Sequence, residues 1–403
     1  MLLKSIIEEV VLAQNEQQKA RDTGLERELL DKIRPDTGFV IIITGIRRGG
    51  KSTLLRQLRK KRLSGKVHWL NFEDPKLTGF ESSDFVKLDK VFSERNGNNF
   101  YLFDEIQNID GWENYIRYKQ DNGAKIILTG SNARLLSREL GTKLTGRHLD
   151  YELFPFSYRE FLAFTQQEGG EHSFLDYMNR GGFPEYLKYD DPEILYRVTD
   201  DILYRDITAR YGVRHHKVLK EILIYLMTNT GRRFSYNKLK QIFSMGSPNT
   251  VSDFISFFEN SYLLFTVPMF SYSAKKQMVN PRKVYSIDTA LAEANSLSFS
   301  KDLGRKLENM VYIRLRKRYR QIYYYSGKGE CDFLMQEKEK ITGALQVCYE
   351  LTPDNLDREL DGLVEAMKTV NITEGLIITM NQKDQFVKDN MKIRVIPAFE
   401  WFL

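Results

Sequence analysis

Two short stretches carry the side chains with the clearest chemical capacity. The first, Gly45-Ile46-Arg47-Arg48-Gly49-Gly50-Lys51-Ser52-Thr53, has the spacing G-x-x-x-x-G-K-S. Its glycines let the backbone curl with N–H groups pointing inward, which makes a cradle for phosphate oxygens. At this spacing Lys51 neutralises β- and γ-phosphates and the Ser52 hydroxyl reaches the Mg2+ that accompanies ATP. Gly45, Gly49, Gly50 and Thr53 complete the predicted nucleotide contact. The second stretch, Phe100-Tyr101-Leu102-Phe103-Asp104-Glu105, is an apolar run ending in two carboxylates. Asp104 is expected to hold magnesium, usually through its water, and Glu105 to polarise the water that attacks the γ-phosphate.

These residues need a frame. Phe39 to Thr44 is a continuous apolar, largely β-branched run, as expected of a strand buried on both faces. Leu54 to Leu58 continues from the glycine loop as a helix whose N-terminal dipole faces the anion. Further strands are read at Val67–Phe72, Lys125–Thr129 and His148–Leu153, with helical patterns between them. The result is an α/β fold with a five-stranded parallel sheet. Ligands bind such sheets at the carboxyl ends of the strands, where both carboxylates would lie. The extra strand between the loop and the acidic pair points to the ATPase subclass with an added catalytic glutamate. Leu128 leads into Thr129-Gly130-Ser131-Asn132, where Asn132 or Ser131 could touch the γ-phosphate or the attacking water, unless this is a plain helix N-cap. Arg147 is the best candidate for an arginine finger, the bland alternative being a solvated surface pair.

The chain has 403 residues, which predicts two or three domains. Its 42% hydrophobic and 28% charged content fits a soluble globular protein and excludes a disordered one. Lys and Arg total 60 against 54 Asp and Glu, a mild excess that permits a nucleic-acid partner without arguing for one. Cys331 and Cys348 form no Cys-x-x-Cys pair, so neither a disulfide framework nor a zinc site is indicated and a cytoplasmic setting is expected. Glu8 and Glu9 interrupt the apolar N-terminal stretch, no small-residue cleavage site follows, and Leu2, Ile6, Val10 and Leu12 read as an amphipathic surface helix. No apolar run is long enough to span a membrane.

Several stretches in order resemble one family: Gly45 to Thr53, Asn71-Phe72-Glu73-Asp74-Pro75, Phe103 to Gln107, Leu128 to Asn132, and Gly146-Arg147 followed by Leu153-Phe154-Pro155-Phe156-Ser157. Gly181-Gly182-Phe183-Pro184-Glu185-Tyr186 and Leu203-Tyr204-Arg205-Asp206-Ile207 extend the set. The chain is similar over nearly its whole length to prokaryotic AAA-type P-loop ATPases with a C-terminal domain of unknown function related to restriction-nuclease folds. The resemblance implies an AAA-like core, a winged-helix middle and a PD-(D/E)XK-like end. It strengthens Arg147 as a finger and says little about biological role.

Residues 157–212 read as mostly helical with a sharp break at Gly181-Gly182-Phe183-Pro184, and the Tyr204-Arg205-Asp206 cluster as an internal ion pair. From His216 to Thr289 the pattern suits a winged helix, with helices over Lys217–Met227, from Ser235, and over Val251–Asn260 after a Ser247-Pro248 start. The last would enter a major groove if the domain reads DNA, through Asn249, Thr250 and Ser252, although Asp253 and Glu259 are a poor match for it. Basic residues are placed elsewhere, at Lys275, Lys276, Arg282 and Lys283 among others, along a wing.

In the last segment a helix from Gly304 carries Glu308 and a basic run over 314–320, followed by strands at Tyr323–Tyr325, Asp332–Met335 and Ala344–Cys348. This order resembles PD-(D/E)XK nucleases, whose acidic residues hold magnesium and whose lysine activates water. Glu308 and Asp332 match, but Gln346 stands at the last carboxylate and Cys348 at the lysine. The expectation is a small α/β restriction-nuclease-like domain without nuclease activity, its basic helix holding phosphate backbone or merely solvated.

The expected domains are an N-terminal helical segment over 1–36, the ATPase core over 37–156, a helical region over 157–212, a winged helix over 213–295 and the nuclease-like domain over 296–403. The expected function is ATP-Mg hydrolysis driving a conformational switch or remodelling of a bound protein or nucleic acid. The alternatives are a DNA-processing enzyme with ATP-gated nuclease activity, and a DNA-binding regulator that only binds ATP. A homo-oligomer is required only if Arg147 acts in trans.

Overall fold

The computed structural model describes residues 1–64, 67–93, 100–132, 146–298 and 302–403. The chain packs as two compact units, Met1–Phe154 with Asn260–Tyr262, and Pro155–Glu259 with Leu263–Leu403.

Short apolar runs bounded by turns become the sheet of the first unit. Strands β1 (Val40–Thr44), β2 (Val67–Asn71), β3 (Phe100–Asp104), β4 (Lys125–Gly130) and β5 (His148–Glu152) take the order β2-β3-β4-β1-β5. Every pairing is parallel, as expected from the sequence. All five residues of β1 are buried, because layers cover both faces and remove its Ile side chains from water. One layer packs helix α3 (Phe85–Ser93) and helix α4 (Trp112–Asp121) through Phe85, Leu88, Trp112 and Ile116. The other packs helix α2 (Lys51–Lys61) through Leu54, Leu55 and Leu58.

Helix α1 (Lys4–Ala20) differs from its expected face. Its buried residues are Ile7, Val10, Val11 and Gln14, whereas Leu12 is exposed. The buried set has i, i+3, i+4, i+7 spacing. Gln14 belongs to it because its amide accepts from the Asn71 N–H at 2.7 Å and donates to the Asn71 carbonyl at 3.1 Å and to Asp74 at 3.0 Å. A polar residue thus closes the apolar stripe, which hydropathy alone does not reveal.

The second unit begins with helices α5 (Tyr158–Thr165), α6 (Glu171–Arg180), α7 (Pro184–Tyr189) and α8 (Glu193–Asp201). Ser157 and Glu160 form a capping box at the start of α5. The break after α6 falls at Gly181, φ +62°, and the next N–H, of Gly182, donates to Asp288 at 2.7 Å. Arg205 pairs with Asp201 at 3.7 Å instead of with its neighbour Asp206, which is buried in a π-helical stretch over Ile202–Thr208. Helices α9 (His216–Thr228), α10 (Tyr236–Ile242) and α11 (Pro248–Asn260) follow, with β6 (Arg233–Phe234), β7 (Leu264–Pro268) and β8 (Arg282–Ser286) in the antiparallel order β6-β8-β7.

The last part is a mixed sheet ordered β13-β14-β12-β11-β10-β9. Its strands are β9 (Gln321–Ser326), β10 (Glu330–Glu337), β11 (Lys340–Val347), β12 (Glu374–Thr379), β13 (Asp384–Lys388) and β14 (Met391–Pro397). Helix α12 (Leu303–Arg316) precedes it, and helix α13 (Leu356–Val370) packs on it through Leu363, Val364 and Met367. No helix among the described residues is long and apolar enough to cross a membrane.

Candidate active site

The glycine loop leaves β1 at Thr44 and closes into α2 at Lys51. Thr44 O accepts from Leu153 N at 2.7 Å, which draws the chain after β5 so close that a Cβ on Gly45 would meet Leu153 O at 2.2 Å. Gly50, φ +99°, turns the loop into the helix in a conformation that side-chain-bearing residues avoid. Arg48 in the loop and Glu105 after β3 also have left-handed backbones, φ 59° and 53°. Such strain gathers at functional sites.

The expected charged groups converge here. Lys51 is buried, and its ammonium donates to the carbonyls of Gly45 at 3.0 Å and Ile46 at 3.2 Å. The same ammonium lies 3.5 Å from Glu105 Oε1. Glu105 Oε2 also accepts from Ser131 N at 3.2 Å and from the Gln107 amide. The hydroxyls of Ser52 and Thr129 hydrogen-bond the Asp104 carboxylate, yet its buried Oδ2 has no partner among the described residues.

The environment separates the two neighbouring carboxyls. Burial and the charge of Glu105 push Asp104 up to about 6, against the hydrogen bonds of Ser52 and Thr129 and the charge of Lys51. Burial also pushes Glu105 up, but Lys51, the Gln107 amide, Arg47 and the Ser131 N–H outweigh it and hold the carboxyl below its usual value. Glu105 is therefore ionised at neutral pH, as a group accepting a proton must be. The unsatisfied oxygen of Asp104, buried beside a serine hydroxyl, suits a hard divalent cation that takes oxygen ligands.

Two predicted residues are placed differently. Asn132 is fully buried just beyond β4, but the contact to Glu105 is made by the backbone of Ser131, whose own hydroxyl has no partner among the described residues. Arg147 stands at the amino edge of the sheet, where its carbonyl accepts from Val40 N at 3.1 Å. Its guanidinium is 60% exposed and pairs with Asp121 at 3.0 Å. The β1–β5 register runs from Val40 opposite His148 to Thr44 opposite Glu152, so about 13 Å of strand separates Arg147 from its own loop. Arg147 thus lies at the opposite end of β1 from its own loop.

Three contributors went unread. Arg27 is buried, donates to Gly49 O at 2.9 Å and Phe154 O at 2.7 Å, and would lie 3.1 Å from a Cβ on Gly50. Gln57 on α2 holds the segment before it, donating to Thr23 O at 2.8 Å and Leu25 O at 2.6 Å. Gln107 positions Glu105 from two residues away. No motif marks the first two, because their partners are carbonyls distant in the chain. Gln107 sits within the acidic stretch and was legible as a neighbour.

In the second unit Glu308 and Asp332 do come together, but around an unexpected cation. Lys283 on β8, expected along an exposed wing, is buried and donates to Glu308 at 2.8 Å and Asp332 at 2.7 Å. The Tyr285 hydroxyl also donates to Glu308, at 2.7 Å. Burial and the charge of Asp332 push the Glu308 carboxyl up to about 7, against Lys283 and Tyr285. Burial lowers the Lys283 ammonium, but the two carboxylates outweigh it and hold it above its ordinary value. Gln346 is committed too: its carbonyl accepts from Asp332 N at 3.0 Å and its amide donates to Glu359 at 2.6 Å. Both ends of the Gln346 amide are therefore engaged within the protein.

The basic helix also turns inward in part. Arg314 stacks on Trp401 and Phe402 at 4.9 and 5.2 Å and donates to the Phe402 carbonyl, while Arg316 lies over Phe265 at 5.8 Å.

A glycine loop between β1 and α2, with an acidic pair on a parallel strand one position removed, defines a P-loop ATPase of the AAA type. A family model described as an AAA domain matches residues 37–162, and one described as a domain of unknown function matches residues 171–302. The chain belongs to the same family as the uncharacterized protein MJ1544 of Methanocaldococcus jannaschii, to which it is 33% identical over 100% of its own length and 96% of that protein's. An uncharacterized protein of Haemophilus influenzae is 29% identical over 91% of this chain and 95% of its own. Among solved structures the chain is similar to the Walker-type ATPase PABY2304 of Pyrococcus abyssi, at 16% identity and TM-score 0.44 over 67% of this chain and 95% of that one.

Proposed function

We propose that this ATPase couples ATP hydrolysis to the remodelling of a bound partner. The observation that carries the reading is the convergence of Lys51, Asp104 and Glu105 at the carboxyl ends of β1 and β3. The loop N–H groups and Lys51 bind the β- and γ-phosphates, with Gly45, Gly49, Gly50 and Thr53 shaping the cradle. Ser52 and Asp104 would hold Mg2+, which would offset the negative charge of the phosphates. Phosphate oxygens replace the Gly45 and Ile46 carbonyls as partners of Lys51. Glu105 orients a water and takes its proton as the water oxygen bonds to the γ-phosphorus and the bridge to the β-phosphate breaks. ADP and inorganic phosphate are the products. Ser131 or Asn132, beside Glu105, reports the γ-phosphate. Arg147 acts only on a neighbouring copy, so a finger role requires a homo-oligomer.

The second unit is the partner-binding part. Its segment from His216 to Ser286 suits a winged helix. The stretch between β7 and β8 exposes Lys275 and Lys276 and carries no acidic residue from Ser271 to Pro281, which favours nucleic-acid backbone as a contact. A protein partner is the competing assignment. The region from α12 onward suits a PD-(D/E)XK-like domain without nuclease chemistry. Lys283 supports this, because its ammonium neutralises both carboxylates that would otherwise hold a metal.

The test is ATPase rate at moderate salt, with and without double- and single-stranded DNA, beside Lys51→Ala and Glu105→Gln. Turnover that depends on Lys51 and rises with DNA, the rise fading with salt, supports a nucleic-acid partner. A Lys51-dependent rate indifferent to DNA points to a protein partner. Absence of turnover defeats the hydrolysis reading.

A further inference from the structure

Three residues far along the chain belong to the nucleotide-binding unit. Asn260–Tyr262 clusters with Met1–Phe154, while the residues on either side belong to the other unit. The segment joins the end of α11 at Asn260 to the start of β7 at Leu264. Tyr262 is fully enclosed, and its hydroxyl donates to Thr44 Oγ1 at 2.7 Å and, more weakly, to Glu152 Oε1 at 3.4 Å. Thr44 is the last residue of β1 and is bonded to Gly45, the first of the phosphate loop. Glu152 is the residue paired with Thr44 across β1 and β5. One phenol thus ties together the two strand ends that support the loop.

Two features set this segment apart from an ordinary connection. Tyr262 has a left-handed backbone, φ 62°, which is costly for a bulky aromatic residue. Beside it, the buried hydroxyl of Ser261 has no hydrogen-bond partner among the described residues. Local strain and an unsatisfied polar group both cost stability, so the packing around them enforces this conformation. The constraint falls directly beneath the phosphate loop.

We infer that Tyr262 is a positioning residue for ATP turnover, acting through Thr44, and that it couples the setting of the phosphate loop to the segment 248–268. The inference rests on the ATPase reading above. Any shift of Thr44 when phosphates enter the loop is felt by the Tyr262 hydroxyl. The covalent chain carries it one residue back to Ser261 and α11 and two forward to Leu264 and β7. The reverse holds as well: a partner that moves α11 or β7 alters the loop through the same hydrogen bond.

Tyr262→Phe tests this, because it removes the hydroxyl and keeps the buried ring. ATPase kinetics should show kcat reduced about tenfold, with KM for ATP within about twofold of the parent. Thr44→Val, which removes the acceptor and keeps the shape, should have the same effect, and the double variant should be no slower than either alone. Amide exchange across 248–268 should respond to ATP in the parent and not in Tyr262→Phe. Unchanged kcat in both variants, multiplying effects, or a parent exchange pattern indifferent to ATP overturns the inference. Lys51→Ala in parallel keeps the two readings apart: turnover surviving that change defeats the ATPase assignment itself, whereas turnover lost there and untouched in Tyr262→Phe defeats only the role of Tyr262.

Discussion

The ammonium of Lys51 lies 3.5 Å from the Glu105 carboxylate, bridging the ends of two strands between which β4 runs. The charge proposed to meet the phosphates is thus paired with the carboxylate proposed to activate water. On that proposal, phosphate oxygens that draw Lys51 towards them also release Glu105, which would link binding to catalysis.

Glu105→Gln keeps the size of the side chain and one accepting oxygen but removes its charge and its basicity. Turnover should fall by about 10²- to 10⁴-fold while ATP affinity is retained. Lys51→Ala should instead lose affinity. Phosphate release and titration with a fluorescent nucleotide separate the two, and a Gln variant that still turns over would remove Glu105 from its role.

Lys283→Met should leave Glu308 and Asp332 buried without their cation. Breaking a buried pair from one side costs about 3–5 kcal/mol, so the denaturation midpoint of the variant should drop clearly. Adding Glu308→Gln and Asp332→Asn should restore much of the loss. Wild-type protein should leave plasmid intact with ATP and Mg2+ or Mn2+, and cleavage abolished by Asp332→Ala would refute the inactive assignment.

Asp288 predicts a pH dependence of stability. Burial pushes its carboxyl up to about 6, although the N–H groups of Gly182, Leu291 and Ala290 oppose the shift. The unfolded value is near 3.9. Between these limits the folded state holds the proton and the unfolded state does not, so the contribution is complete below about 4 and is lost as pH rises through about 6. Asp288→Asn should remove this term, worth on the order of 2–3 kcal/mol at most. Melting curves of both proteins from pH 4 to 7 check it, and parallel curves would contradict the shift.

Arg147→Ala should not change the rate of dilute, monomeric protein, because the guanidinium is distant from its own loop. If copies assemble with Arg147 at a neighbouring site, the parent rate per chain rises with concentration and the variant lacks that rise. Sedimentation run beside the ATPase assay shows whether the rise follows assembly. A lowered rate in the monomeric variant would contradict the geometry.

The first sheet and its nucleotide loop were legible in the sequence. A buried parallel strand is a contiguous apolar run, and a phosphate loop is a contiguous spacing of glycines with a lysine, so both signals are local. The helix start at Ser235 was also local, since a capping side chain reaches only two or three residues ahead. The face of α1 was misread because Gln14 is buried by hydrogen bonds to Asn71, a partner 57 residues away. Lys283 was misread for the same kind of reason: a lysine in a basic run looks solvated until two carboxylates from other elements enclose it.

The sequence by itself determined that the chain holds a phosphate-binding nucleotide loop and an acidic pair to match it. Only the tertiary structure decided what each charge faces. It placed Arg27 behind the loop, kept Arg147 from its own site, seated Lys283 between Glu308 and Asp332, and brought Tyr262 to Thr44 across 218 residues of chain. The physical reason is range: backbone curvature and strand burial follow from neighbouring residues, whereas desolvation and charge pairing depend on which distant side chains the packed core brings within a few ångströms.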